Sequence, residues 1–341
     1  MKTLKNIAYS ILASVFVFAN ANAGELSVTG SAKATYVILS VDGSATDDDA
    51  GKGLGMSNEF TLGASGELDN GWTWATNIDI DADTTQDDSS IVLGMGGLGS
   101  LKINISDGGL QKNFSSMQSV YGASVDNGEG GTYTDSPDTG AMNTFRYTTP
   151  SGLPYDISAS IQYAPSSGEN ATASGNTGGT LDTFNEDAME YAISAVPMEG
   201  LEIGASYYDP DSSLTGQEEE GGAAYITYDF ADIGLSLGYG ISKYAVGLEP
   251  NTTNEGEDYD NRMMSVAFNV NPDLSISLER IESEKNFETS ASDVEMEIDS
   301  IQAAYTIAGM TLSLANEEYD NHDYTSGNKM KETTFAMSIA F

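Results

Sequence analysis

The chain ends on a stretch in which large and small side chains alternate without interruption. From Thr334 to the terminal residue, every second position is large and apolar, and Thr, Ala and Ser fill the other positions. The large set is Phe335, Met337, Ile339 and Phe341. A period of two places one set on each face of a β-strand. Chain ends are commonly polar and frayed, so an aromatic last residue predicts a terminal strand that has to be paired.

The same alternation recurs along the chain. It is plain at residues 26–38, 235–242 and 263–270, where apolar residues alternate with small or polar ones. We predict sixteen strands, with fourteen and eighteen as open alternatives because strand ends are the least certain part of such a pattern. The predicted strands are residues 25–41, 57–68, 72–82, 89–96, 100–106, 143–150, 154–164, 187–197, 201–208, 221–231, 233–244, 261–271, 274–284, 294–308, 310–320 and 331–341.

The connections between these strands alternate between short and long. The short ones are tight turns, such as the Asp-Asn-Gly of 69–71 and the Ala-Gly of 308–309, whereas long ones such as 209–220 carry runs of acids. In an up-and-down barrel that crosses a membrane, every second connection lies on the same side, and an even strand number returns both termini to one side. The predicted fold class is therefore all-β, a 16-stranded antiparallel transmembrane β-barrel with short periplasmic turns and long acidic extracellular loops.

The apolar strand faces leave a second class of protein open. In a soluble sandwich these faces meet in a core, whereas in a barrel they face lipid and the small or polar set faces water. The alternative is a secreted or surface-exposed all-β structural protein or adhesin without a pore. A barrel partitions with outer membranes and changes its gel mobility on heating in detergent, which separates the two classes.

The first 23 residues have the composition of a secretory signal peptide. Two lysines precede an apolar stretch, and Ala-Asn-Ala at positions 21–23 forms a cleavage site. The apolar stretch is shorter than the roughly 18 residues that a membrane-spanning helix needs, and no later stretch approaches that length. We predict that residues 1–23 are cleaved and that 24–341 form a single barrel domain.

Composition excludes several classes of function. The chain has no cysteine, so disulfides and thiolate metal sites are excluded. It carries 52 Asp and Glu against 13 Lys and Arg, a net charge of −39, which excludes a nucleic-acid partner. Acidic chains can be disordered, but 18 Tyr and 11 Phe within alternating segments favour a folded protein here.

With these features, the chain resembles the Gram-negative general porins over its whole mature length. The resemblance is carried by the signal peptide, the sixteen segments, the acidic outer loops and the terminal Phe341, and residues 91–102 resemble the strand–turn–strand before the third loop of such porins. It implies a sixteen-stranded barrel in the outer membrane of a Gram-negative bacterium, usually a homotrimer, that passes small hydrophilic solutes and ions by diffusion. It implies neither an enzyme nor a cofactor.

The resemblance also implies an inward-folded third loop. Residues 107–142 follow the fifth predicted strand and form the longest stretch without clear alternation, which is typical of a functional connection. We predict that this segment narrows the channel. Its acids are Asp107, Asp126, Glu129, Asp135 and Asp138. The Pro-Glu-Phe-Gly-Gly motif of enterobacterial porin loops is missing, which leaves open which of these acids line the constriction.

Porins place bases on the wall opposite this loop. By strand phase, Lys33, Lys102 and Arg146 point to the lumen here. Acids that face bases across a narrow aqueous gap would create a transverse field that orients and screens solutes. The alternative is that these bases are simply solvated on a polar face. Arg262, Lys243 and Arg280 have the lipid phase, where snorkelling to head groups is expected.

Other motifs carry little chemistry. Gly94-x-Gly96-x-x-Gly99 matches a dinucleotide-binding pattern, but a strand follows it rather than a helix, so it predicts a hairpin turn. The single histidine, His322, gives a catalytic triad or zinc site little to build on. We expect no enzymatic activity.

A calcium-loop pattern begins at Asp79 and continues with Asp81 and Asp83. Its sixth position is Thr84 rather than the glycine that the tight turn of such a loop requires. A dedicated metal site is not predicted, and weak divalent binding by these three aspartates stays open.

Two further predictions concern the rims of the barrel. Aromatic residues near strand ends are expected to form interfacial girdles; they are Trp72, Trp74, Tyr36, Tyr163, Tyr207, Tyr228 and Tyr319. Acidic loops at the outer mouth concentrate counter-ions, which predicts a preference for cations. Lumen bases could instead set the selectivity at high salt. A substrate-specific channel would need an ordered ladder of lumen aromatics and bases, of which the sequence gives only three phased bases.

Overall fold

The structure is a computed structural model that describes residues 24–42, 50–81, 88–106, 108–111, 133–140, 142–165, 185–212, 216–248, 256–287 and 292–341. These residues contain sixteen strands: β1 Glu25–Asp42, β2 Gly51–Glu67, β3 Thr73–Asp81, β4 Ser89–Gly94, β5 Ser100–Ile105, β6 Thr144–Thr148, β7 Ser158–Ala164, β8 Asn185–Met198, β9 Leu201–Ser212, β10 Glu220–Phe230, β11 Leu235–Ala245, β12 Gly256–Asn271, β13 Leu274–Phe287, β14 Val294–Ile307, β15 Met310–Asp320 and β16 Lys329–Ala340. Each predicted strand overlaps an observed one, and the predicted count of sixteen is confirmed.

The strands form one closed antiparallel barrel in chain order. Each strand pairs with its neighbours in sequence, and β1 pairs with β16 to close the cylinder. At this seam the Gly30 N–H donates to the Phe341 carbonyl at 2.8 Å, and the Phe341 N–H donates to the Gly30 carbonyl at 2.9 Å. The Phe341 ring packs edge-on against Phe60, with ring centroids 5.6 Å apart. The last residue therefore closes the barrel, as the alternation at the chain end predicts.

Connections of two kinds define two rims. The connections after the even-numbered strands have two to five residues, except for the nine of 149–157 between β6 and β7. The turn between β14 and β15 has Ala308 at φ 52° and Gly309 at φ 82°, the positive pair that a two-residue hairpin requires. The connections after the odd-numbered strands are longer and gather at the other end of the barrel. We call these ends the short-turn rim and the long-connection rim. Their alternation follows from antiparallel pairing between chain neighbours.

The largest difference in strand bounds is in β2. The alternation predicts a start at residue 57, whereas the strand begins at Gly51 and pairs with β1 as far as Leu39. Glycine weakens the strand pattern because it brings no side chain to pack. Here, pairing with the long β1 supplies the hydrogen bonds that extend β2 through a stretch rich in glycine.

The two faces of the wall have different environments. On β14, Ile301, Tyr305 and Ile307 point outward and are exposed, whereas Ile298 and Gln302 point inward and are buried. The outward face of the other strands is likewise lined by exposed Leu, Ile, Met and Phe. An apolar band of this extent is expected on a surface that faces lipid.

The inner face is less uniformly polar than the alternation predicts. Toward the long-connection rim, apolar side chains form a buried cluster on the inner wall. Its members are Tyr133, Ala223, Met263, Ile281, Met296, Ile298, Tyr319 and Met330. Tyr319 is 1% exposed and belongs to this cluster, so its assignment to an interfacial girdle was wrong. Odd-numbered residues of β15 point inward, which a strand-end position alone does not reveal.

Among the described residues, no helix is both long enough and apolar enough to cross a membrane.

Candidate functional site

The three predicted lumen bases lie on the inner face. Lys33 has the phase of Val37, which is buried on the inner side of β1. Lys102 on β5 and Arg146 on β6 are direct cross-strand partners. They share their phase with Asn104 and Thr144, which are buried and hydrogen-bonded to each other at 3.1 Å. Two of the three bases therefore form one basic patch.

Arg146 binds the beginning of the predicted constriction segment. Its guanidinium donates from Nη2 to the Gly108 carbonyl, and to the Gly109 carbonyl at 3.4 Å. Its Nε donates to the Gln162 Oε1 at 2.5 Å. The Arg146 guanidinium is thus held at the start of the segment, where it fixes the backbone of Gly108 and Gly109. This role is separate from any effect of its charge on passing solutes.

A second anchor joins both ends of the segment to β7 and β8. The Glu190 carboxylate accepts from the Leu110 N–H at 2.6 Å, the Thr139 N–H at 3.2 Å and the Thr139 hydroxyl at 2.7 Å. Gln162 adds donation from its Nε2 to the Gly108 carbonyl at 2.9 Å and to the Thr139 hydroxyl. Glu190 is 1% exposed. Glu190 therefore binds both stems of the segment, by which we mean residues 108–111 and 133–140.

Sequence reasoning missed Glu190 and Gln162. The available signal is an acid or amide in the inward phase of a strand whose inward neighbours are small, as Ala188 and Ala192 are beside Glu190. In a chain with 52 acids this signal is weak by itself.

Asp135 is held against the wall at β11. Its carboxylate accepts from the Ser242 hydroxyl at 2.5 Å, from the Ser136 N–H at 2.8 Å and from the Tyr133 hydroxyl at 3.0 Å. Burial of the carboxyl raises the pKa of Asp135, and these hydrogen bonds oppose the rise. Burial also raises the pKa of Tyr133 well above its usual range.

Asp138 stands where the two stems of the segment meet. It accepts from the Gly140 N–H at 2.8 Å, and a Cβ added at Gly109 would collide with its carboxylate. A side chain at position 109 would therefore have to displace the Asp138 carboxylate.

The segment also contacts the long connection that follows β15. The Thr134 N–H donates to the Tyr324 hydroxyl at 2.8 Å, and the Thr134 carbonyl accepts from Asn261 Nδ2 at 2.9 Å. Ser283 on β13 shares a hydrogen bond of 2.7 Å with the Tyr324 hydroxyl. Residues 133–140 therefore run along the inner wall from β12 and β13 at one end to β7 and β8 at the other.

Three of the predicted constriction acids, Asp107, Asp126 and Glu129, lie outside the described residues. Asp135 and Asp138 lie inside the barrel, bound to the wall and to the segment itself. That the segment narrows the channel, and that Lys33, Lys102 and Arg146 face its acids across a gap, stay predictions.

Acids that were not assigned to the pore lie on β2 and β3. Glu59 and Asp81 are cross-strand partners in the phase of Lys33, and Asp79 has the same inward phase. Asp79 accepts from Asn77 Nδ2 at 2.8 Å. Of the open metal candidates, Asp83 lies outside the described residues. The described part of the chain holds no group of three or more His, Cys, Asp or Glu side chains placed to bind a metal.

Acids outnumber bases on the inner face of the described strands. The inward bases are Lys33, Lys102, Arg146 and Lys285, the last of which lies 5.1–5.9 Å from the ring centroids of Phe287, Tyr259 and Tyr324. The inward acids include Glu59, Asp79, Asp81, Glu190, Glu202, Glu279, Glu317 and Glu332. The wall therefore carries a net negative charge along its height.

Two of these eight carboxylates, and the carboxylate of Glu219 just before β10, accept hydrogen bonds from tyrosine hydroxyls. Tyr225 donates to Glu202 at 2.5 Å, Tyr244 to Glu219 at 3.1 Å and Tyr319 to Glu317 at 2.9 Å. A chain with four acids for each base lacks enough cations to pair its carboxylates. Neutral hydroxyl donors meet the hydrogen-bonding requirement of a carboxylate while leaving its charge in place.

Comparison with known proteins identifies relatives at the level of family and fold. The sequence model of Gram-negative porins matches residues 8–340. The fold is similar to Salmonella typhi OmpF in complex with daunomycin, at 14% identity over 94% of this chain and 98% of that chain, with a TM-score of 0.66. No curated protein matches the sequence.

Two further solved structures have the same architecture. The anion-selective porin from Comamonas acidovorans is 12% identical over 93% of this chain and 100% of that chain, with a TM-score of 0.64. A triple mutant of Rhodopseudomonas blastica porin is 12% identical over the same shares, with a TM-score of 0.59. At these identities the likeness concerns the fold.

Proposed function

The chain belongs to the Gram-negative porin family and is an outer-membrane channel, and we propose that it lets small hydrophilic solutes and ions diffuse passively, with a preference for cations. Family membership favours the channel over the structural protein or adhesin that the sequence leaves as an alternative. The long-connection rim is then extracellular and the short-turn rim periplasmic.

The observation that carries the cation preference is the acidity of the inner wall. Exposed Glu59 and Asp81 sit opposite each other on β2 and β3, with Asp79 beside them. A low-dielectric wall around a water-filled lumen focuses the field of such charges and raises the local concentration of cations. Because these acids line the passage, screening by salt weakens them less than acids on exposed loops.

The basic patch of Lys102 and Arg146 opposes the proposed preference for cations. Lys102 and Arg146 lie side by side on β5 and β6, where they would attract anions. Arg146, however, is bound to two carbonyl oxygens and to Gln162, and these acceptors offset part of its field. Anion selectivity also occurs within this fold, as in the Comamonas porin, so the balance of wall charges has to be measured.

The test is the reversal potential of the purified protein in a planar bilayer under a tenfold potassium chloride gradient. A potential of the sign given by cation flow supports the proposal, and a potential of the opposite sign overturns the preference. Conductance that rises in proportion to bulk salt supports diffusion, whereas saturation at low concentrations of one solute would indicate a specific binding site instead.

We also propose that the protein is a homotrimer. The strands β4, β5 and β6 have 6, 6 and 5 residues, whereas β12 and β13 have 16 and 14. At a tilt of about 45° and about 3.3 Å per residue, six residues rise about 14 Å, against an apolar band about 25 Å tall. Another protein surface is needed beside this low wall, and further copies of the chain can supply it.

The test of the trimer is its mass in mild detergent, measured by light scattering and native electrophoresis before and after heating. Three chains per particle before heating, and one after, support the proposal. A single chain per particle under all mild conditions overturns it.

A further inference from the structure

A row of two tyrosines and a lysine crosses the inner wall near the long-connection rim. Tyr244 on β11, Tyr259 on β12 and Lys285 on β13 are successive cross-strand partners, so their side chains share the inward face at one register. We call them the tyrosine–lysine row. Strand phase did not assign Lys285 to the lumen because the predicted strand stops at residue 284, whereas β13 continues to Phe287.

Three aromatic rings lie around the ammonium of Lys285. Its Nζ is 5.1 Å from the ring centroid of Phe287, 5.7 Å from that of Tyr259 and 5.9 Å from that of Tyr324. A Cβ added at Gly256 would meet the Lys285 Cε at 2.7 Å. The glycine therefore gives the lysine stem room against the main chain of β12, and the ammonium ends among the rings.

Tyr324 reaches this row from the connection after β15 and is fixed there. Its hydroxyl accepts from the Thr134 N–H at 2.8 Å and shares a hydrogen bond of 2.7 Å with Ser283. Its ring meets that of Tyr259 edge-on, with centroids 5.2 Å apart. Asp323 and Tyr324 both have φ 52°, a left-handed conformation that persists where surrounding contacts hold it. The Tyr324 ring is therefore positioned without a ligand.

The charge of Lys285 is not compensated by an acid of the described chain. Each outward base of β11–β16 forms an ion pair with a carboxylate; these bases are Lys243, Arg262, Arg280, Lys329 and Lys331. Lys285 forms no such pair with any described residue, and its neighbours are rings. Rings attract a cation through their quadrupoles but carry no net charge, so the positive charge remains available to an anion.

The two tyrosines of the row add a surface for stacking. Their rings are nearly parallel, with an interplanar angle of 12° and centroids 6.0 Å apart. Both tyrosines and Lys285 are half-buried, so part of each stays accessible. Aromatic faces stack with a flat ring, and an ammonium forms a charge-assisted hydrogen bond with a carboxylate. Together they match a small molecule that carries a carboxylate on an aromatic ring.

The row lies on the outer side of the inward segment. Ser242, Asn261 and Ser283 form the next inward register, two residues closer to the short-turn rim. This register holds the segment, because the Ser242 hydroxyl donates to Asp135 and Asn261 Nδ2 donates to the Thr134 carbonyl. A solute that enters from the long-connection rim therefore meets the tyrosine–lysine row before residues 133–136.

The acidic surroundings make the row selective among anions. Inward acids outnumber inward bases on the wall, and Glu219 accepts from the Tyr244 hydroxyl at 3.1 Å. These carboxylates repel every anion, so the charge of Lys285 alone gives little retention. Stacking on the tyrosines adds an attraction that chloride and acetate lack.

We propose that the tyrosine–lysine row is a weak binding site for small aromatic carboxylates at the outer mouth of the channel. The carboxylate binds the Lys285 ammonium, and the aromatic ring stacks on Tyr259 and Tyr244. The inference rests on the proposed passive channel and deepens it by naming a solute class that the wall retains. Millimolar affinity keeps the site compatible with diffusion, because the bound solute leaves quickly.

The test is fluorine NMR of para-fluorobenzoate with the full chain folded in detergent. The wild-type protein is expected to broaden the fluorine line, and Lys285→Gln should weaken binding roughly tenfold, since it removes a charge-assisted hydrogen bond. Lys285→Arg keeps the charge and should restore most of the broadening. The matched control is Lys331→Gln on the outward face, which should bind as the wild type does. Equal broadening by wild type and Lys285→Gln would overturn the site.

Ligand controls separate the two parts of the recognition. Trifluoroacetate carries the charge without the ring, and para-fluorobenzamide carries the ring without the charge. Both should broaden far less than para-fluorobenzoate, and Tyr259→Leu should weaken binding of para-fluorobenzoate because it removes the stacking face. Broadening of trifluoroacetate to the same extent, or full binding by Tyr259→Leu, would overturn aromatic recognition.

Current recordings in planar bilayers separate the site from the channel. Replacement of part of the chloride by benzoate should add current noise in the wild type but not in Lys285→Gln, and replacement by acetate should add none. A conducting protein whose noise and fluorine line do not depend on Lys285 would leave the channel standing and the site wrong. A protein that binds para-fluorobenzoate through Lys285 but does not conduct would overturn the channel and retain the site.

Discussion

The buried charge of Glu190 on the inner face and the exposed charge pairs on the outward face of this barrel are held in opposite ways. On the inner face, Glu190 is 1% exposed and receives three hydrogen bonds from Leu110 and Thr139, which lie near the two ends of segment 107–142. On the outward face, Lys331 pairs with Glu318 while their side chains stay 51% and 62% exposed. A charge taken out of water depends on each of its partners, whereas an exposed ion pair is screened and contributes about 0–1 kcal/mol.

Register explains how the outward charges are arranged. Toward the long-connection rim, β12–β16 place charged residues directly opposite one another in cross-strand rows. One such row is Arg262, Glu282, Glu297, Asp320 and Lys329. Acids outnumber bases in these rows, and each base lies beside acids. The rows lie beyond the apolar band, where water reaches them.

The comparison predicts that single substitutions on the outward face have little effect on assembly or stability. The chain end is expected to differ, because Phe341 closes the barrel. Deletion of Phe341 removes two main-chain hydrogen bonds at the seam and the ring contact with Phe60. We expect most of the protein to fail to assemble, measured as loss of the heat-modifiable band in outer membranes. Assembly at the normal level would contradict the role assigned to the seam.

The largest effect of a single substitution is expected at Glu190→Ala. The change removes the acceptor for the Leu110 N–H, the Thr139 N–H and the Thr139 hydroxyl. Each unsatisfied buried donor costs about 1–3 kcal/mol. Single-channel recordings should show larger and noisier conductance, and denaturant unfolding in detergent should show lower stability.

The matched control for Glu190→Ala is Glu318→Ala on the outward face, which should leave both measurements nearly unchanged. Equal effects of the two substitutions would break the comparison between the faces.

A smaller effect is expected from neutralising inner-wall acids. The double variant Glu59→Gln, Asp81→Asn removes two exposed inward charges, and we expect the cation-to-anion permeability ratio to fall roughly twofold, while Lys102→Gln raises it. Reversal potentials at fixed salt gradient measure the ratio. No change in either variant would show that the wall charges at β2, β3 and β5 do not set selectivity.

Acidification should tighten the inward segment through Asp135. Burial raises the pKa of Asp135 above that of the unfolded chain, so its contribution to docking is fully present below the unfolded pKa and is lost as pH rises through the folded one. Conductance fluctuations should therefore be smaller at about pH 4 than at about pH 7.

The control for this pH dependence is Asp135→Asn, which keeps an acceptor for Ser242 and for the Ser136 N–H but cannot titrate. The difference between the two pH values should shrink in this variant. An unchanged pH dependence would assign the effect to another group.

The smallest effect is expected at Arg280→Gln. Arg280 donates to Asp299 from Nε at 2.7 Å and lies 3.1 Å from Glu297, but its side chain is 42% exposed. Loss of these pairs should lower the free energy of unfolding by about 1 kcal/mol or less, measured in detergent at low salt. A loss comparable to that of Glu190→Ala would contradict the comparison.

Much of the fold could be predicted from the sequence because the determining signal is local. Alternation with period two identifies both the strands and the side chains that share a face, and it assigned Lys33, Lys102 and Arg146 to the inner face. The girdle assignment of Tyr319 was wrong because it used only the position near a strand end, where aromatic residues occur on both faces. Alternation missed six residues at the start of β2, where glycine weakens the pattern.

The inner-wall contacts could not be predicted in the same way. Leu110 and Glu190 are 80 residues apart, and Thr134 and Tyr324 are 190 apart. No local period links such positions, because their meeting depends on the path of the segment inside the closed barrel.

By itself, the sequence determined the strands, their faces and the parity that brings both ends of the barrel domain to one rim, since each follows from side-chain order along a single strand. The tertiary structure decided which inward groups meet, that Arg146 and Glu190 hold the segment, and that the wall is low at β4–β6. These features depend on the relative heights and register of strands distant in sequence. Only closure of the cylinder fixes them.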